Sequence, residues 1–242
     1  MTDPVPPTIS VVIPVHNEAD YLPHALPELF ADLADVPASV TVLIAENGST
    51  DDTADLVRRA QASYPSLELL ELPAPDYGAA MRDGFLHTTG EWAVNFDIDY
   101  FSGAFLGSVL ESDADVVLAS KRAQGADDRR SVLRRLATWT FNQILRFVLG
   151  SGVSDTHGMK ALRRRVIDDI APQVQSTQDL FDTELVVRAE RAGYRIAEVP
   201  ALVEEKRGTK SSLLKRVPRT LAGVWRIRTA LRAENGQNPG TP

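Results

Sequence analysis

Residues Ile9–Glu18, with the sequence ISVVIPVHNE, give the clearest indication of the fold. The first seven of them, Ile9–Val15, are mostly β-branched and show no helical period. This predicts a short strand buried on both faces, as in parallel sheets. Polar residues follow at once, in the order His16, Asn17 and Glu18. We therefore expect a buried strand that delivers polar side chains to one edge of a sheet.

Similar apolar runs recur along the first half of the chain and alternate with helical patterns. Helices are expected over Asp52–Tyr64 and Tyr77–His87, where apolar positions and strong helix formers follow a helical spacing. This alternation predicts an α/β fold, a mostly parallel Rossmann-like sheet with helices on both faces. The further predicted strands are Val40–Ala45, Leu67–Leu72, Trp92–Phe96 and Val116–Ala119.

The second half of the chain is richer in long helical patterns. Tyr194–Val203 is expected to be an edge strand, because Pro200 interrupts it. Helices are predicted at Ser131–Leu149, Thr177–Ala192 and Leu213–Arg232. We expect an N-terminal tail (1–8), one domain (9–212, with halves 9–125 and 126–212), a basic amphipathic helix (213–232) and a disordered tail (233–242).

The composition is typical of a globular protein that folds without disulfide bonds. Of 242 residues, 43% are hydrophobic and 24% are charged, which are ordinary values for a folded domain. The absence of cysteine excludes disulfides, thiolate metal sites and a cysteine nucleophile. No run approaches the roughly 20 apolar residues of a membrane span, and Met1–Pro7 has no secretory signal. We expect a cytoplasmic protein.

The net charge of −7 is unevenly distributed. Between Val203 and Arg232 there are nine basic residues and two acidic ones, so this segment carries +7 and the rest of the chain −14. A basic C-terminal segment on an acidic body predicts an anionic partner at one end of the molecule. The acidic body argues against binding to nucleic acid.

Polar residues follow most of the predicted strands directly. In an open parallel sheet, ligands bind beyond the carboxyl ends of the strands, so these groups are expected at one binding edge. No Gly-x-Gly-x-x-Gly or Gly-Lys-Ser/Thr loop is present, which argues against a dinucleotide or P-loop site. The groups are His16–Glu18, Glu46–Ser49, Asp97–Asp99 and Ser120–Arg122.

The sharpest local feature is Asp97-Ile98-Asp99. Two carboxylates at this spacing beyond a strand can reach one hard cation, or one cation and one ribose hydroxyl. Such oxygen ligands suit Mg²⁺ or Mn²⁺ carrying a diphosphate. Asp113-Ala114-Asp115 has the same spacing but precedes a predicted strand. It should therefore lie at the opposite edge of the sheet, and we interpret it as a solvated turn.

Seven short motifs occur in a fixed order: Ile13–Glu18, Glu46–Thr53, Tyr77–Gly84, Asp97–Asp99, Asp155–Lys160, Phe181–Leu185 and Glu198–Pro200. Together they resemble the family 2 glycosyltransferases of GT-A fold, over about residues 9–212. In the second half, the resemblance is closest to the branch of dolichol- and polyprenyl-phosphate mannosyl- and glucosyltransferases. The residues 9–125 would then form the nucleotide-sugar-binding half and 126–212 the acceptor half.

The resemblance implies a nucleoside pocket for a UDP- or GDP-linked sugar donor. Pro14, His16 and Glu18 would line it, with Glu18 holding the ribose or the base. Glu46 stands where the family usually has Asp, and this keeps the carboxylate but lengthens its side chain. Gly78, which lies within the third motif, is also expected to line the donor-binding site.

The resemblance also implies a site for Mg²⁺ or Mn²⁺ and the donor phosphates. Asp97 would contact the ribose or the donor and share in binding the metal, and Asp99 would bind the metal. Lys121 and Arg122 would neutralise phosphate charge. Tyr100–Ser102 departs from the usual family sequence at this point, so no third metal ligand is identified.

The expected reaction is inverting displacement at an anomeric carbon. A phosphate acceptor is already anionic, whereas a hydroxyl acceptor needs a general base. Asp182 stands in the family position for that base; its alternative role is a helix-surface acid favoured by the helix dipole. Glu184 is expected to pair with Arg188 four residues later. His157 is either an acceptor-site residue or a plain loop histidine.

Two amphipathic basic helices bear on the choice of acceptor. The last one either lies on an anionic membrane surface or packs on the body, and Ser131–Leu149 presents the same two alternatives through Trp139, Phe141 and Phe147. The apolar stripe of the last helix is Leu213, Val217, Leu221, Val224 and Leu231, with Trp225 beside it.

The leading functional hypothesis is a metal-dependent inverting transfer from a nucleotide sugar to a polyprenyl phosphate. The same chemistry on a soluble or cell-envelope glycan is the second hypothesis. A sugar-phosphate nucleotidyltransferase would need a glycine- and arginine-rich loop with a lysine after the first strand, which His16–Glu18 does not provide. A non-catalytic nucleotide-sugar-binding protein is the remaining alternative. The sequence does not set the oligomeric state.

Overall fold

The computed structural model of the chain describes residues 5–120, 127–128, 132–153, 156, 158–177, 180–203 and 213–237. The strands are β1 Thr8–Val15, β2 Ser39–Asn47, β3 Leu67–Leu72, β4 Trp92–Asn95, β5 Val116–Ser120, β6 Asp127–Asp128, β7 Lys160–Arg163, β8 Ile196–Pro200 and β9 Leu202–Val203. Seven strands form one sheet in the order β3-β2-β1-β4-β7-β5-β8, and β6 pairs with β9.

The large sheet is mixed but mostly parallel. β1 lies between β2 and β4 and runs parallel to both, with Val12 opposite Asn95. β7 runs antiparallel between β4 and β5, which places its first residue, Lys160, opposite Asn95. The chain leaves β1 for β2 and β3 on one side and continues with β4 on the other. Ligands of open α/β sheets bind at such a switch point, beyond the carboxyl ends of the strands.

The helices are α1 Leu22–Leu33, α2 Thr53–Ala60, α3 Tyr77–His87, α4 Gly103–Leu110, α5 Val132–Leu149, α6 Arg164–Ile170, α7 Phe181–Arg191 and α8 Leu213–Gln237, with a 3₁₀ turn at Ala171–Gln173. Side chains cap two of them where the chain leaves an extended conformation. Asp76 Oδ1 accepts a hydrogen bond from Ala79 N–H at 3.1 Å at the start of α3. Ser102 Oγ accepts one from Phe105 N–H at 3.2 Å at the start of α4.

Apolar side chains on the two faces of the sheet form separate cores. One face packs against α1, α2 and α4 through residues such as Leu29 and Leu106. The other packs against α3, α6 and α7 through residues such as Met81 and Leu185. A third cluster joins α5, α7 and α8 and comprises Leu145, Leu149, Leu180, Val187, Val224, Ile227 and Leu231.

The predicted α/β fold is confirmed, including the edge position of β8. β3 and α3 have the predicted bounds. α7 begins at Phe181 rather than Thr177, and α2 ends at Ala60 rather than Tyr64. The sequence did not predict α1, α4, α6 and β7. α1 contains Pro23 and Pro27, which obscure a helical pattern, and β7 has only four residues.

The predicted disordered tail is wrong for residues 233–237, because α8 continues to Gln237. Arg188 of α7 donates hydrogen bonds to Glu234 at 2.8 and 3.0 Å, and this ion pair anchors the added turn. Residues 1–4 and 238–242 lie outside the described residues. Within the described ranges, no helix is long and apolar enough to cross a bilayer.

Candidate active site

The loop after β1 is held in place by the loop after β2. Asn17 has a φ of 54°, a left-handed conformation that asparagine tolerates better than most residues. Its N–H donates to Ser49 Oγ at 2.9 Å, and its Oδ1 accepts from Thr50 N–H at 2.8 Å. These bonds fix the backbone between His16 and Glu18, two of the predicted donor-binding residues.

Asp51 strengthens the same connection. Its carboxylate accepts hydrogen bonds from the Thr53 N–H at 3.0 Å, the Thr53 hydroxyl at 2.5 Å and the Ala19 N–H at 3.2 Å. Thr53 Oγ1 in turn accepts from Glu18 N–H at 2.9 Å. Desolvation opposes ionisation, but these hydrogen bonds outweigh it and hold the pKa of Asp51 below its ordinary value. An ionised Asp51 thus holds the backbone at Glu18.

His16 and Glu46 also bind the backbone of these loops. His16 Nδ1 lies 2.8 Å from the carbonyl oxygen of Asn47, so Nδ1 carries the proton and donates it. Glu46 is buried, and its Oε1 accepts from Ser49 N–H at 2.5 Å. The long side chain of Glu46 therefore turns back onto its own loop. Pro14 lies half-buried near the end of β1.

Asn47 connects the loop after β2 to the start of α3. Its Oδ1 accepts from Asp76 N–H at 2.7 Å, and Asp76 is the residue that caps α3. Gly48 has a φ of 62°, and a Cβ at this position would lie 2.7 Å from the carbonyl carbon of Ala74. Only glycine fits this close approach. Gly78 is buried in the first turn of α3, which this loop positions.

Asp97–Tyr100, called here the acidic turn, follows β4 at the switch point. Asp97 N–H donates to the Tyr100 carbonyl at 3.1 Å, and Tyr100 N–H donates to the Asp97 carbonyl at 3.0 Å. Ile98 is 5% exposed and anchors the turn in the core, whereas Asp97 is exposed and Asp99 is half-buried. The turn therefore presents two carboxylates beyond the sheet, at the edge where β1 delivers His16.

The donor set of the acidic turn fits a hard cation that is shared with a substrate. Within the described part of the chain, no three His, Asp or Glu side chains are grouped to hold a metal ion by themselves. Mg²⁺ and similar ions are commonly bound by one or two carboxylates together with substrate phosphates. The two carboxylates of Asp97 and Asp99 meet that requirement.

Asp113-Ala114-Asp115 lies at the amino edge, as predicted, but only its first residue is solvated. The side chain of Asp113 is 82% exposed. Asp115 is buried: its Oδ1 pairs with Arg165, and its Oδ2 accepts from Arg195 N–H at 3.0 Å. Burial opposes ionisation, but these two partners hold the pKa of Asp115 below its ordinary value. The prediction of a solvated turn is therefore wrong for Asp115.

Asp182 lies in the first turn of α7, but it is 5% exposed rather than on the helix surface as its alternative role required. Its Oδ1 lies 2.9 Å from Nζ of Lys160, whose side chain is also buried. Its Oδ2 accepts from the Tyr77 hydroxyl at 2.8 Å. The carboxylate thus belongs to a buried cluster formed with the first residues of β7 and α3.

The predicted Glu184–Arg188 pair is confirmed, with Arg188 Nε 2.7 Å from Glu184 Oε1 and both side chains buried. Burial disfavours the charged guanidinium, but its hydrogen bonds to Glu234 and Glu184 outweigh this and raise the pKa of Arg188. Glu184 Oε2 also accepts from Ser176 N–H at 2.7 Å. This network fixes α7 between α8 and the segment that precedes α7.

Part of the predicted apolar stripe of α8 packs on the body. Val224 and Leu231 are buried, together with Ile227, which the predicted stripe did not include. Leu221 and Trp225 are 44% and 59% exposed, so only part of the predicted stripe packs on the body. The side chains of residues 213–219 lie outside the described ones.

A comparison with protein-family models matches residues 10–170, more than half of the chain, to "Glycosyl transferase family 2". The chain belongs to this family. It is therefore a glycosyltransferase, of a class that takes its sugar from a nucleotide-sugar donor. Family membership favours this activity over nucleotidyl transfer and over non-catalytic binding.

Curated relatives agree with this assignment. A dolichyl-phosphate beta-glucosyltransferase of Trichomonas vaginalis is 27% identical over 93% of this chain and 78% of its own length. Glycosyltransferase AglD of Haloferax volcanii is 28% identical over 86% of this chain. The aligned part is only 35% of that relative's length. An uncharacterized glycosyltransferase of Mycobacterium tuberculosis is 30% identical over 85% of this chain and 89% of its length.

Solved structures share the GT-A fold of this family 2 glycosyltransferase. Mannosyl-3-phosphoglycerate synthase from Rubrobacter xylanophilus aligns with a TM-score of 0.67 and 22% identity, covering 97% of this chain and 78% of that one. Glucosyl-3-phosphoglycerate synthase from Mycobacterium tuberculosis, in complex with Mn²⁺, UDP and glucosyl-3-phosphoglycerate, aligns with a TM-score of 0.63 and 21% identity. The alignment covers 91% of this chain and 78% of that one.

The structure brings most of the predicted donor-binding residues to the carboxyl edge. Pro14, His16, Glu18, Glu46, Asp97 and Asp99 all lie on or directly after β1, β2 and β4. Lys121, Arg122 and His157 lie outside the described residues. The sequence missed Lys160 as part of the site, although it closes the Asp155–Lys160 motif and opens an otherwise mostly apolar strand, β7.

Proposed function

We propose that this family 2 glycosyltransferase uses a divalent cation to transfer a sugar, with inversion, from a UDP- or GDP-linked donor to a polyprenyl phosphate. The observation that carries the proposal is the position of the acidic turn at the switch point, with Asp97 exposed and Asp99 half-buried. These carboxylates lie at the edge where β1 presents His16 and Glu18.

On the donor side, Asp99 and Asp97 would hold Mg²⁺ or Mn²⁺ together with the diphosphate. The cation supplies Lewis-acid neutralisation of the leaving nucleoside diphosphate. Glu18 and His16 would contact the nucleoside, since hydrogen bonds to the second loop fix their backbone. The Mn²⁺ and UDP named for the mycobacterial glucosyl-3-phosphoglycerate synthase support this assignment.

Further residues complete the proposed donor site. Pro14 and Gly78 would shape its walls, and Glu46 would keep its loop in register through Ser49 while its carboxylate contacts the base. Lys121 and Arg122 follow β5 and would neutralise phosphate charge from that strand's carboxyl end.

Two observations support a lipid-phosphate acceptor. A dolichyl-phosphate glucosyltransferase is among the relatives that align over most of this chain. In addition, Leu221 and Trp225 of α8 are exposed, and the Arg228 guanidinium lies 5.3 Å from the centroid of the Trp225 ring. Apolar and basic side chains on one amphipathic helix suit an anionic membrane surface.

A small anionic acceptor is the second candidate. The solved neighbours include glucosyl-3-phosphoglycerate synthase in complex with phosphoglyceric acid. The buried Val224, Ile227 and Leu231 support this alternative, because they make α8 part of the body rather than a detached membrane anchor. A hydroxyl acceptor, on a glycan or on phosphoglycerate, would need a general base, a role that the buried pairing of Asp182 does not favour.

Transfer assays with two different acceptors test the proposal. The full chain is incubated with Mn²⁺ and radiolabelled UDP-glucose or GDP-mannose, and either a short-chain polyprenyl phosphate in anionic vesicles or 3-phosphoglycerate. We expect label in the organic phase that requires both Mn²⁺ and the polyprenyl phosphate. Transfer to 3-phosphoglycerate alone would contradict the lipid acceptor, and no metal-dependent transfer or donor hydrolysis would contradict the donor assignment.

Vesicle co-sedimentation tests the surface of α8 separately. Each Lys or Arg near an anionic surface contributes about 1 kcal/mol, and the Debye length falls from about 10 Å at 0.1 M salt to 3 Å at 1 M. We expect binding to phosphatidylserine vesicles that is lost at 1 M salt and weakened by Trp225→Ala. Vesicle binding that is unchanged at 1 M salt, or unchanged in Trp225→Ala, would contradict the proposal that α8 binds a membrane surface.

A further inference from the structure

A fully buried ammonium group lies close to the acidic turn. Lys160 is 0% exposed, and its Nζ lies 2.9 Å from Asn95 Oδ1, from the Gly158 carbonyl oxygen and from Asp182 Oδ1. The ammonium has three partners: it donates hydrogen bonds to Asn95 Oδ1 and to the Gly158 carbonyl oxygen, and it forms an ion pair with the Asp182 carboxylate. These partners come from β4, from the loop before β7 and from α7.

Tyr77 adds a fourth element to this cluster. It is the first residue of α3, and its hydroxyl donates to Asp182 Oδ2 at 2.8 Å. Both carboxylate oxygens of Asp182 therefore lie in contact with a donor group. The cluster joins the starts of α3, α7 and β7 to the end of β4.

A chain of hydrogen bonds leads from this cluster to the acidic turn. Because Lys160 only donates, Asn95 must present its Oδ1 to the ammonium and direct its NH₂ group elsewhere. Asn95 Nδ2 donates to the Phe96 carbonyl at 3.2 Å, and Phe96 is the residue directly before Asp97. The charge of Lys160 thus sets the orientation of the amide that holds the backbone entering the turn.

We propose that Lys160 and Asp182 are positioning residues that hold the acidic turn against α3 and α7, and that Asp182 is not the general base. A general base becomes neutral when it takes a proton. Here, that step would leave the Lys160 ammonium buried without its counter-charge, which is strongly unfavourable.

The inference rests on the proposed function, because it takes the acidic turn as the metal–diphosphate site. The reaction then needs an acceptor that is already anionic. An acceptor phosphate oxygen forms the bond to the anomeric carbon, the bond from that carbon to the donor diphosphate breaks, and the diphosphate leaves with the electron pair. No proton has to be removed.

Calorimetry of UDP binding with Mn²⁺ and no acceptor distinguishes the two roles of Asp182. Residues that orient a metal site without touching the metal are worth about 10–100-fold in affinity. We therefore expect Asp182→Asn and Lys160→Met to weaken UDP binding about tenfold. The double variant should bind better than either single one, because it leaves no lone buried charge. A general base would leave UDP affinity unchanged in Asp182→Asn, and that result would overturn the inference.

Two tyrosine variants provide a milder, matched test. Tyr77→Phe removes the hydrogen bond to Asp182, and Tyr194→Phe removes a tyrosine–aspartate bond of similar length, 2.9 Å, to Asp169 on the surface at the amino edge. We expect only Tyr77→Phe to weaken UDP binding. Equal effects of the two variants would overturn the inference, even if the charge variants fail to fold.

Amide hydrogen exchange gives a readout that needs no ligand. The N–H groups of Asp97 and Tyr100 are bonded to each other's carbonyls across the acidic turn. We expect faster exchange at both in Tyr77→Phe than in the wild-type chain and in Tyr194→Phe. Unchanged exchange contradicts the positioning role. Wild-type protein that binds no UDP with Mn²⁺ contradicts the proposed function instead, so the two failures are distinguishable.

Discussion

The chain carries the same acidic spacing twice, as Asp97-Ile98-Asp99 after β4 and as Asp113-Ala114-Asp115 before β5. In both copies the middle residue is buried and faces the core. The first copy forms a turn that presents its carboxylates at the switch point. The second turns one carboxylate inward, where the Arg195 N–H donates a hydrogen bond to it and Arg165 neutralises its charge.

The difference shows that spacing alone does not make a cation site. A cation shared with a diphosphate needs carboxylates that a ligand can reach, at the edge where the donor binds. The carboxylate of Asp115 is buried and bound to Arg165 and Arg195, so a ligand cannot reach it, and it contributes to stability instead. Replacing Asp99 and replacing Asp115 should therefore have opposite effects on nucleotide affinity and on stability.

The largest expected effect is the loss of nucleotide binding in Asp99→Asn. Residues that only orient a metal ligand are worth about 10–100-fold in affinity, so loss of a ligand should weaken Mn²⁺-dependent UDP or GDP binding at least about 100-fold. The free energy of unfolding should change little, because Asp99 is not buried in the core. Calorimetry and urea denaturation measure the two quantities, and an unchanged affinity would remove Asp99 from the metal site.

Asp115→Ala should produce the reverse pattern. It removes the hydrogen bond from the Arg195 N–H to the buried Asp115 carboxylate and the ion pair with Arg165. Hydrogen bonds to charged groups contribute about 1.5–3 kcal/mol, so the free energy of unfolding should fall by about that amount. Mn²⁺-dependent UDP affinity should stay at the wild-type value. A weakened affinity in a variant that retains its stability would show that the amino-edge motif also takes part in donor binding.

The contribution of Asp115 to stability should also depend on pH. The folded pKa of Asp115 is held below the unfolded value of about 3.9. Its contribution to stability is therefore fully present above that value and is lost as the pH falls through the lower folded pKa. The difference in unfolding free energy between wild-type protein and Asp115→Ala should shrink below about pH 4. A difference that persists undiminished at pH 2 would contradict this.

The smallest effect is expected for Asp113→Asn. The Asp113 side chain is 82% exposed, and the nearest guanidinium nitrogen of Arg195 is 3.7 Å away. Surface substitutions of this kind change stability by less than about 0.5 kcal/mol. Neither the UDP affinity nor the midpoint of urea unfolding should move, and a loss of affinity here would undermine the contrast between the two motifs.

Features that depend on local pattern could be predicted from the sequence. The buried strands β1 to β5 follow from apolar runs, and the position of Asp97 and Asp99 follows from the rule that ligands bind beyond strand ends. The Glu184–Arg188 pair follows from helical spacing. Each of these features depends either on residues that are close in sequence or on the carboxyl edge of the predicted sheet.

Features that depend on distant contacts could not be predicted. Tyr77 and Asp182 are 105 residues apart in sequence, and the antiparallel insertion of β7 is what places Lys160 beside Asn95. The burial of Asp115 likewise depends on Arg165 and Arg195, which arrive from elements far along the chain. No pattern near these residues signals the pairing.

The most direct test of the central claim is the location of the cation in crystals grown with Mn²⁺ and UDP. Anomalous scattering from manganese identifies its position without reference to the protein. We expect one peak at the acidic turn, within coordination distance of an Asp99 carboxylate oxygen and of the UDP diphosphate. A peak at Asp113–Asp115, or a UDP diphosphate bound away from Asp97 and Asp99, would contradict the central claim.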